Sequence, residues 1–123
     1  MKYLLVIFLI LTVNSYSQEK IYSNKIEAER ELKIALNGKT QHNVIDNKTV
    51  ILKDRNVAIL IAETILFNLY GKENIQRQKP YAVDLLDNYW VISGSLEKDM
   101  LGGTFLIILD SRNSEVLKIT HGK

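Results

Sequence analysis

The chain has 123 residues, 16 of them basic and 14 acidic, and it contains no cysteine. This length suits one domain behind a leader, and the lack of cysteine excludes disulfide bridges and a lipid-bearing lipoprotein cysteine. The near balance of charge argues against a phosphate-binding surface, which needs a basic excess, and against an acidic mimic of nucleic acid. We therefore expect no nucleic-acid partner.

The first residues have the pattern of an export signal. Lys2 supplies a positive charge, and an almost unbroken apolar run follows over residues 3–13. Ser15 and Ser17 place small side chains two apart, which predicts cleavage before Gln18. We expect a signal peptide at 1–17, a single mature domain at 18–123, and a periplasmic location with no stable membrane anchor. An uncleaved N-terminal anchor is the alternative, although the run is shorter than the roughly 20 residues of a membrane span.

Two helices are predicted ahead of the strands. Asn24 with Glu27 three residues later forms a capping-box pattern, and Gly38 is a suitable stop. The apolar positions of this first helix share one side, so we expect it to lie on the surface with one face packed. Residues 41–52 fit either a short hairpin or an ordered loop, because apolar pairs flank the turn-like residues 46–48.

The second helix is predicted between Asp54, a candidate cap, and Gly71, a candidate stop. The intervening VAILIAETILFNLY is apolar around most of a helical circumference, which is typical of a mostly buried helix. It is too short and too often interrupted by polar residues to cross a membrane.

An antiparallel meander is predicted from residue 81 to residue 120. Pro80 precedes a first strand, the turn signal at 87–88 leads into a return strand at 89–96, and Gly94 within that strand predicts a bulge or bend. Gly102-Gly103 precede an apolar strand typical of a central position, and a last strand covers 116–120. Helices followed by such a meander predict an α+β fold.

The segments IAETILFNLYGKENIQRQKPY, YWVISGSL, GGTFLIILD and ITHGK resemble the nuclear-transport-factor-2-like fold immunity proteins of bacterial polymorphic toxin systems. The resemblance covers roughly residues 54–123. It is carried by a set of glycines, aromatic residues and chain-end residues that occur in the family's order: Tyr70, Gly71, Pro80, Tyr81, Trp90, Gly94, Gly102, Gly103, Thr120, His121, Gly122 and Lys123.

The resemblance implies a cone-like fold, in which a curved antiparallel sheet of about four strands wraps two N-terminal helices. It also implies a protein that binds and neutralises a cognate toxin domain by protein–protein contact, without catalysis and without a cofactor. Because an inhibitor must meet its target, export predicts a toxin that acts on the envelope. The charged loop residues Glu97, Lys98 and Asp99, together with Lys123, are candidate partner contacts.

Several conspicuous residues are expected to be architectural. Trp90 is expected in the core, and the Gly102-Gly103 pair is expected to form a turn or bulge, because no helix follows to bind a phosphate. His121 is expected to make local hydrogen bonds at a strand end. With His42 as the one other histidine and no cysteine, we expect no metal site.

Two other functions fit the same fold, because fold alone does not determine function. One is an exported module that binds a small ligand or a peptide at the mouth of the cone. The less favoured one is an isomerase-like or lyase-like enzyme that uses Asp84 beside Tyr70, Tyr81 or Tyr89. A roomy pocket with convergent polar groups would favour these alternatives, whereas an exposed apolar or charged patch would favour an inhibitor.

Overall fold

The computed structural model describes residues 22–38 and 42–123. The predicted signal peptide at 1–17 and its cleavage point lie outside the described residues. By its internal contacts the chain divides into a unit at 1–40 and a unit at 41–123, and each is described by itself. No helix in the described segments combines the length and the apolar character that a membrane span requires.

The described part of the first unit contains one helix, α1 (Lys25–Leu36), as predicted. The Asn24 side-chain oxygen caps it by accepting a hydrogen bond from the Glu27 N–H at 3.4 Å, and Gly38 follows with a φ of 64°. The expectation of one packed face is wrong, because none of the residues of α1 is buried. The physical reason is that the described part of its own unit offers no second element against which α1 could bury an apolar face.

The second unit is an α+β arrangement of two helices and one antiparallel sheet. Its helices are α2 (Arg55–Tyr70) and the short α3 (Lys72–Gln76), which was not predicted. Its strands are β1 (Ala82–Leu86), β2 (Tyr89–Ser93), β3 (Phe105–Asp110) and β4 (Val116–His121). The strands are hydrogen-bonded in the order β1-β2-β3-β4, each antiparallel to its neighbour. The predicted α+β meander of four strands is confirmed.

Capping residues determine where α2 begins and ends. The Asp54 carboxylate accepts hydrogen bonds from the backbone N–H groups of Asn56 and Val57 at 2.7 and 3.0 Å, which satisfies two donors of the first turn. At the other end Gly71 adopts a φ of 87°, a conformation that side chains with a Cβ rarely adopt, and α3 starts directly after it.

The prediction that α2 is mostly buried is wrong. Its buried residues form one stripe, Ala58, Ala62 and Leu66, at successive intervals of four. Leu60, by contrast, is 62% exposed. Because the rest of the second unit covers α2 along this one stripe, apolar side chains on its other side remain in solvent.

The core lies between the α2 stripe and one face of the sheet. In register across the sheet, Val83 pairs with Ile92, Ile92 with Ile107, and Ile107 with Ile119. Phe105 and Leu109 add further fully buried side chains from β3, while Leu106 and Ile108 on its opposite face are half-buried. The central position predicted for this strand is confirmed, although its second face has less cover than expected.

Residues 42–53 form an ordered loop, so the hairpin alternative is excluded for this described stretch. The backbone N–H groups of Ile51 and Leu52 both donate to the Ser111 carbonyl, at 3.0 and 2.8 Å. The Trp90 indole Nε1–H donates to the Leu52 carbonyl at 2.9 Å, and the Leu52 side chain enters the core. This loop is therefore held to the end of β3 at one edge of the core.

Candidate functional site

Five of the twelve motif residues that carry the family resemblance lie at or beside one buried polar side chain, Gln78: Tyr70, Gly94, Gly103, His121 and Gly122. Gln78 is 1% exposed and lies between α3 and Pro80. Its Oε1 accepts a hydrogen bond from the Phe105 N–H at 2.9 Å. Its Nε2 lies 3.3 Å from the Asn74 carbonyl and 3.0 Å from His121 Nε2. One side chain thus connects α3 with β3 and β4.

The hydrogen bond from Gln78 also determines the tautomer of the His121 ring. The amide Nε2 of glutamine is a donor, so His121 Nε2 accepts, and the ring proton is then on Nδ1. That Nδ1–H donates to the Gly122 carbonyl at 2.8 Å, and the Tyr70 ring packs on the imidazole with a centroid separation of 4.9 Å. At the end of β4, His121 therefore makes the expected local hydrogen bond, to Gly122, and a second one to the distant Gln78. Among the described residues, no group of three or more acidic or histidine side chains is placed to hold a metal ion.

Two glycines permit close approach at this cluster. A Cβ on Gly94 would overlap the Gln78 side-chain amide, and a Cβ on Gly103 would overlap the backbone of Gly122. The Gly122 N–H in turn donates to the Thr104 carbonyl at 3.0 Å. The predicted bend at Gly94 does not lie within a strand, because β2 ends at Ser93 rather than at Leu96. After Gly94 the chain is bonded to the segment before β1 instead, because the Ser95 N–H donates to the Gln78 carbonyl at 2.8 Å.

The other motif residues lie outside the Gln78 cluster. Trp90 is in the core as expected, at the end of β2 that faces residues 51–52. Thr120 and Lys123 are exposed at the end of β4 and beyond it. Gly71 joins the two helices, and Pro80 with Tyr81 borders a surface depression on the same unit.

This depression has a volume of about 540 Å³ and lies between the start of α2 and β1. Its lining consists of two cationic and four largely apolar side chains: Arg55, Ile59, Lys79, Pro80, Tyr81 and Val83. The Tyr81 hydroxyl donates to Glu63 Oε2 at 3.0 Å, and the Tyr81 ring meets the edge of Phe105 at a centroid distance of 5.2 Å. Burial, followed by the hydrogen bond to Glu63, raises the pKa of Tyr81, so its phenol stays protonated and keeps donating.

The acid and tyrosine pair expected of an enzyme does not form at Asp84. That side chain is exposed on the face of β1 opposite Tyr81 and Val83, across from Val91. The carboxylate that reaches Tyr81 is instead Glu63, one of the polar residues that interrupt the apolar sequence of α2. Lys79 Nζ lies 3.8 Å from the same Glu63 oxygen and 5.7 Å from the Tyr81 ring centroid.

The loop between β2 and β3 carries the predicted partner contacts. Glu97, Lys98 and Asp99 are exposed, and the Met100 N–H closes a turn on the Glu97 carbonyl at 3.0 Å. Leu101, which the sequence analysis did not single out, is 100% exposed. Lys123 directly follows Gly122, whose backbone touches Gly103 at the base of this loop. All four predicted contacts are accessible, and their role in binding stays a prediction.

An ion pair at the far end of the sheet joins β2, β3 and the following turn. Arg112 donates to both Asp110 carboxylate oxygens at 2.9 Å and to the Tyr89 hydroxyl at 2.9 Å. Its guanidinium also lies 5.4 Å from the Tyr89 ring centroid. The hydrogen bonds from Arg112 lower the pKa of the Asp110 carboxyl.

Because the pKa of Asp110 is lower in the folded state, this group stabilises the fold above its unfolded pKa of about 3.9, and that contribution is lost as pH falls through the folded pKa. We expect Asp110→Asn to lower the urea midpoint at neutral pH. We also expect the midpoint of this variant to fall less than that of the wild type when the pH is lowered. Urea unfolding at about pH 7 and pH 3 measures this, with the exposed Asp84→Asn as the matched control. Equal declines in wild type and Asp110→Asn would contradict the assignment.

Comparison with known proteins identifies the family. A model of the NTF2 fold immunity proteins matches residues 57–123, which is more than half of the chain. The chain belongs to the NTF2 fold immunity protein family. The match runs from the first turn of α2 through β4, so it includes the Gln78 cluster and all of the depression except Arg55. The resemblance stated from the sequence is confirmed.

Two proteins of Escherichia coli K12 are similar to this NTF2 fold immunity protein. The uncharacterised protein YhhH is 30% identical over 116 residues, which cover 93% of this chain and 82% of YhhH. The uncharacterised protein YbbC is 33% identical over 73 residues, which cover 58% of this chain and 60% of YbbC. No solved structure gives a significant match.

Membership in an immunity family suggests a protein toxin as the partner and a role other than catalysis. Sequence reasoning missed Gln78, Glu63 and Lys79. A usable signal for Gln78 was Gly94, since a glycine at a strand end often marks a close approach by another group. For Glu63 and Lys79 the sequence carries no such signal, because their pairing with Tyr81 depends on how α2 packs against β1.

Proposed function

We propose that this NTF2 fold immunity protein binds and neutralises a cognate bacterial toxin domain by protein–protein contact in the periplasm. The observation that carries the proposal is the family match over residues 57–123. The Gln78 cluster supports it, because the side-chain groups of Gln78 and His121 that could act on a substrate are already engaged in hydrogen bonds within the fold. These groups therefore stabilise the scaffold.

The loop between β2 and β3 is the contact surface that we propose. Its fully exposed Leu101 follows the charged residues Glu97, Lys98 and Asp99. An exposed apolar side chain in the same loop as charged ones is consistent with an interface anchor and its polar rim. Lys123 extends the same surface from the chain end.

The predicted export signal supports a toxin target in the envelope. An inhibitor of a cytosolic nuclease has to stay in the cytosol, whereas this chain is predicted to be exported. An inhibitor that mimics nucleic acid also needs an excess of acidic residues. This chain instead carries a formal net charge of +2. A wall or membrane component is therefore the proposed substrate of the toxin.

Coexpression with a toxin domain tests the function. Candidate toxin domains are directed one at a time to the periplasm of E. coli from which YhhH and YbbC are deleted, because either relative could protect the host. We expect the full chain to restore plating to the toxin-free level, and a chain that starts at Gln18 without a signal to fail. Loss of colonies with both forms would contradict the immunity function, and equal rescue by both would contradict the envelope target.

A Leu101→Asp variant addresses the contact loop in the same assay. Leu117 is an exposed leucine on β4, so Leu117→Asp is the matched control. Removal of an interface anchor lowers the binding free energy by about 2 kcal/mol or more, which raises the dissociation constant of the complex roughly 30-fold. We expect Leu101→Asp alone to reduce protection, and equal protection by the two variants would place the interface elsewhere.

The depression beside Tyr81 is the one observation that favours the second candidate, an exported module for a small ligand or a peptide. Its volume of about 540 Å³ lies within the range of ligand pockets. The same plating assay separates the candidates, because a ligand-binding module has no reason to rescue a host from a toxin.

A further inference from the structure

We propose that the depression between α2 and β1 receives an acidic segment of the toxin, in which a carboxylate is adjacent to an apolar side chain. The proposal rests on the immunity function, since it takes the toxin as the occupant. It assigns a recognition site to Arg55, Lys79 and the apolar floor between them.

The floor of the depression is suited to an apolar group. Ile59, Pro80, Tyr81 and Val83 supply aliphatic and aromatic surface. Tyr81 and Val83 are held in place because they pack on the core, and the Tyr81 ring rests against Phe105. A rigid apolar floor loses little conformational freedom when it is covered, so burial of a side chain there favours binding.

The rim of the depression is cationic. Arg55 and Lys79 are the charged residues of its described lining, and the Glu63 carboxylate, which is not part of that lining, lies 3.8 Å from Lys79 Nζ. Within residues 22–38 and 42–123, the Arg55 guanidinium has no carboxylate within ion-pair distance. An incoming carboxylate would therefore gain a charge-assisted hydrogen bond without displacing an existing partner of Arg55.

Lys79 can also turn towards an incoming carboxylate. Its contact with Glu63 is long, at 3.8 Å, and its side chain is 53% exposed, so the pair is weak. Glu63 keeps the Tyr81 hydroxyl at 3.0 Å when Lys79 leaves, so its carboxylate does not lose its last partner. The geometry thus provides two cations for one acidic group above an apolar floor.

A small probe tests the site independently of the toxin. The full chain is expressed in ¹⁵N-labelled medium, and the recovered protein is titrated with 3-phenylpropionate, which combines a carboxylate and an aromatic ring. The neutral 3-phenylpropionamide and acetate are the reference ligands. We expect saturable amide shifts at 55–59 and 79–83, with the carboxylate bound about tenfold more tightly than the amide. Equal affinity for the two phenyl ligands would overturn the proposal.

Variants then connect the site with the toxin. The double variant Arg55→Ala with Lys79→Ala should lose the preference for the carboxylate and bind the toxin domain about tenfold more weakly or worse. Lys118→Ala, an exposed cation on β4, is the matched control, and the ¹⁵N spectrum verifies that each variant is folded. Lost probe binding with unchanged toxin affinity would overturn the toxin as occupant and leave the immunity function intact. If wild type fails to neutralise the toxin while the probe still binds, the immunity function fails and the toxin assignment fails with it.

Discussion

Trp90→Ala is expected to lower the free energy of unfolding by about 3–5 kcal/mol. The indole is 6% exposed, and its Nε1–H donates to the Leu52 carbonyl at 2.9 Å. The substitution leaves a cavity in the core and removes one of the bonds that hold residues 51–52 to the sheet. Since the free energy of unfolding of a domain of this size is about 5–15 kcal/mol, the variant should be close to unfolding at room temperature. Trp90 is the one tryptophan in the chain, so the variant has no tryptophan fluorescence to follow. Urea unfolding is therefore followed by circular dichroism.

Trp90→Phe separates packing from hydrogen bonding at this position. Phenylalanine retains most of the apolar volume but cannot donate to the Leu52 carbonyl, so we expect a smaller loss of about 1–3 kcal/mol. A loss for Trp90→Ala below about 1 kcal/mol would contradict a core role for the indole. Equal losses for the two variants would show that the hydrogen bond, rather than the ring volume, keeps residues 51–52 in place.

The elements of the second unit were predictable where local chemistry determines them. Asp54 caps α2 through its own carboxylate, and Gly71 ends the helix with a positive φ. Asp87 and Asn88 both adopt positive φ values, of 46° and 69°, which is the backbone of a tight hairpin turn. Such signals act over a few residues, so they can be read from the sequence without knowledge of the tertiary structure.

Burial was less predictable, because it depends on which surfaces meet. The sequence of α2 is apolar on most sides, yet Leu60 is exposed, since the number of layers around a helix is not encoded in its own periodicity. The same limit applies to α1, whose residues were expected to include a packed face. Residues 41–52 could not be assigned from the sequence, because the described end of this stretch, Ile51 and Leu52, is bonded to Ser111, a distant partner in the chain.

In the candidate sites, too, the sequence shows local motifs but not the contacts that form between distant segments. The resemblance identified the glycine pair and the chain-end motif separately, and their contact at Gly103 and Gly122 requires the register between β3 and β4. Gln78 bonds to groups 27 and 43 residues away, so its role arises only in the folded chain. A glutamine in a polar segment is usually exposed, and Gly94 indicates that some group approaches closely without identifying Gln78 as that group.

Gln78→Leu is expected to lower the free energy of unfolding by about 2–4 kcal/mol, although leucine is similar in size and more apolar. The buried Phe105 N–H loses its acceptor, and His121 Nε2 loses its donor. The Phe105 N–H is buried and the bond to His121 is partly buried, so an unpaired group at these positions costs more than the hydrogen bond alone contributed. Urea unfolding measures the loss. Gln76→Leu is the matched control, since this glutamine is exposed at the end of α3, and a change within about 0.5 kcal/mol is expected there.

A second measurement keeps this prediction specific to the Gln78 cluster. In the wild type the His121 ring proton should be on Nδ1, because Gln78 donates to Nε2. In Gln78→Leu that constraint is gone, so the ¹⁵N resonances of the imidazole should shift towards a mixture of the two tautomers. Unchanged resonances together with unchanged stability would show that Gln78 does not organise the cluster.

The same variant distinguishes scaffold from binding surface. Gln78 is buried, whereas Arg55, Lys79 and Leu101 reach the surface. At a temperature where Gln78→Leu remains folded, it should therefore bind 3-phenylpropionate and the toxin domain with affinities within about threefold of wild type. Arg55→Ala with Lys79→Ala should show the reverse, with nearly unchanged stability and weakened binding. If Gln78→Leu lost toxin affinity while fully folded, the motif cluster itself would belong to the interface, and the family's shared glycines would be part of toxin recognition rather than of the scaffold alone.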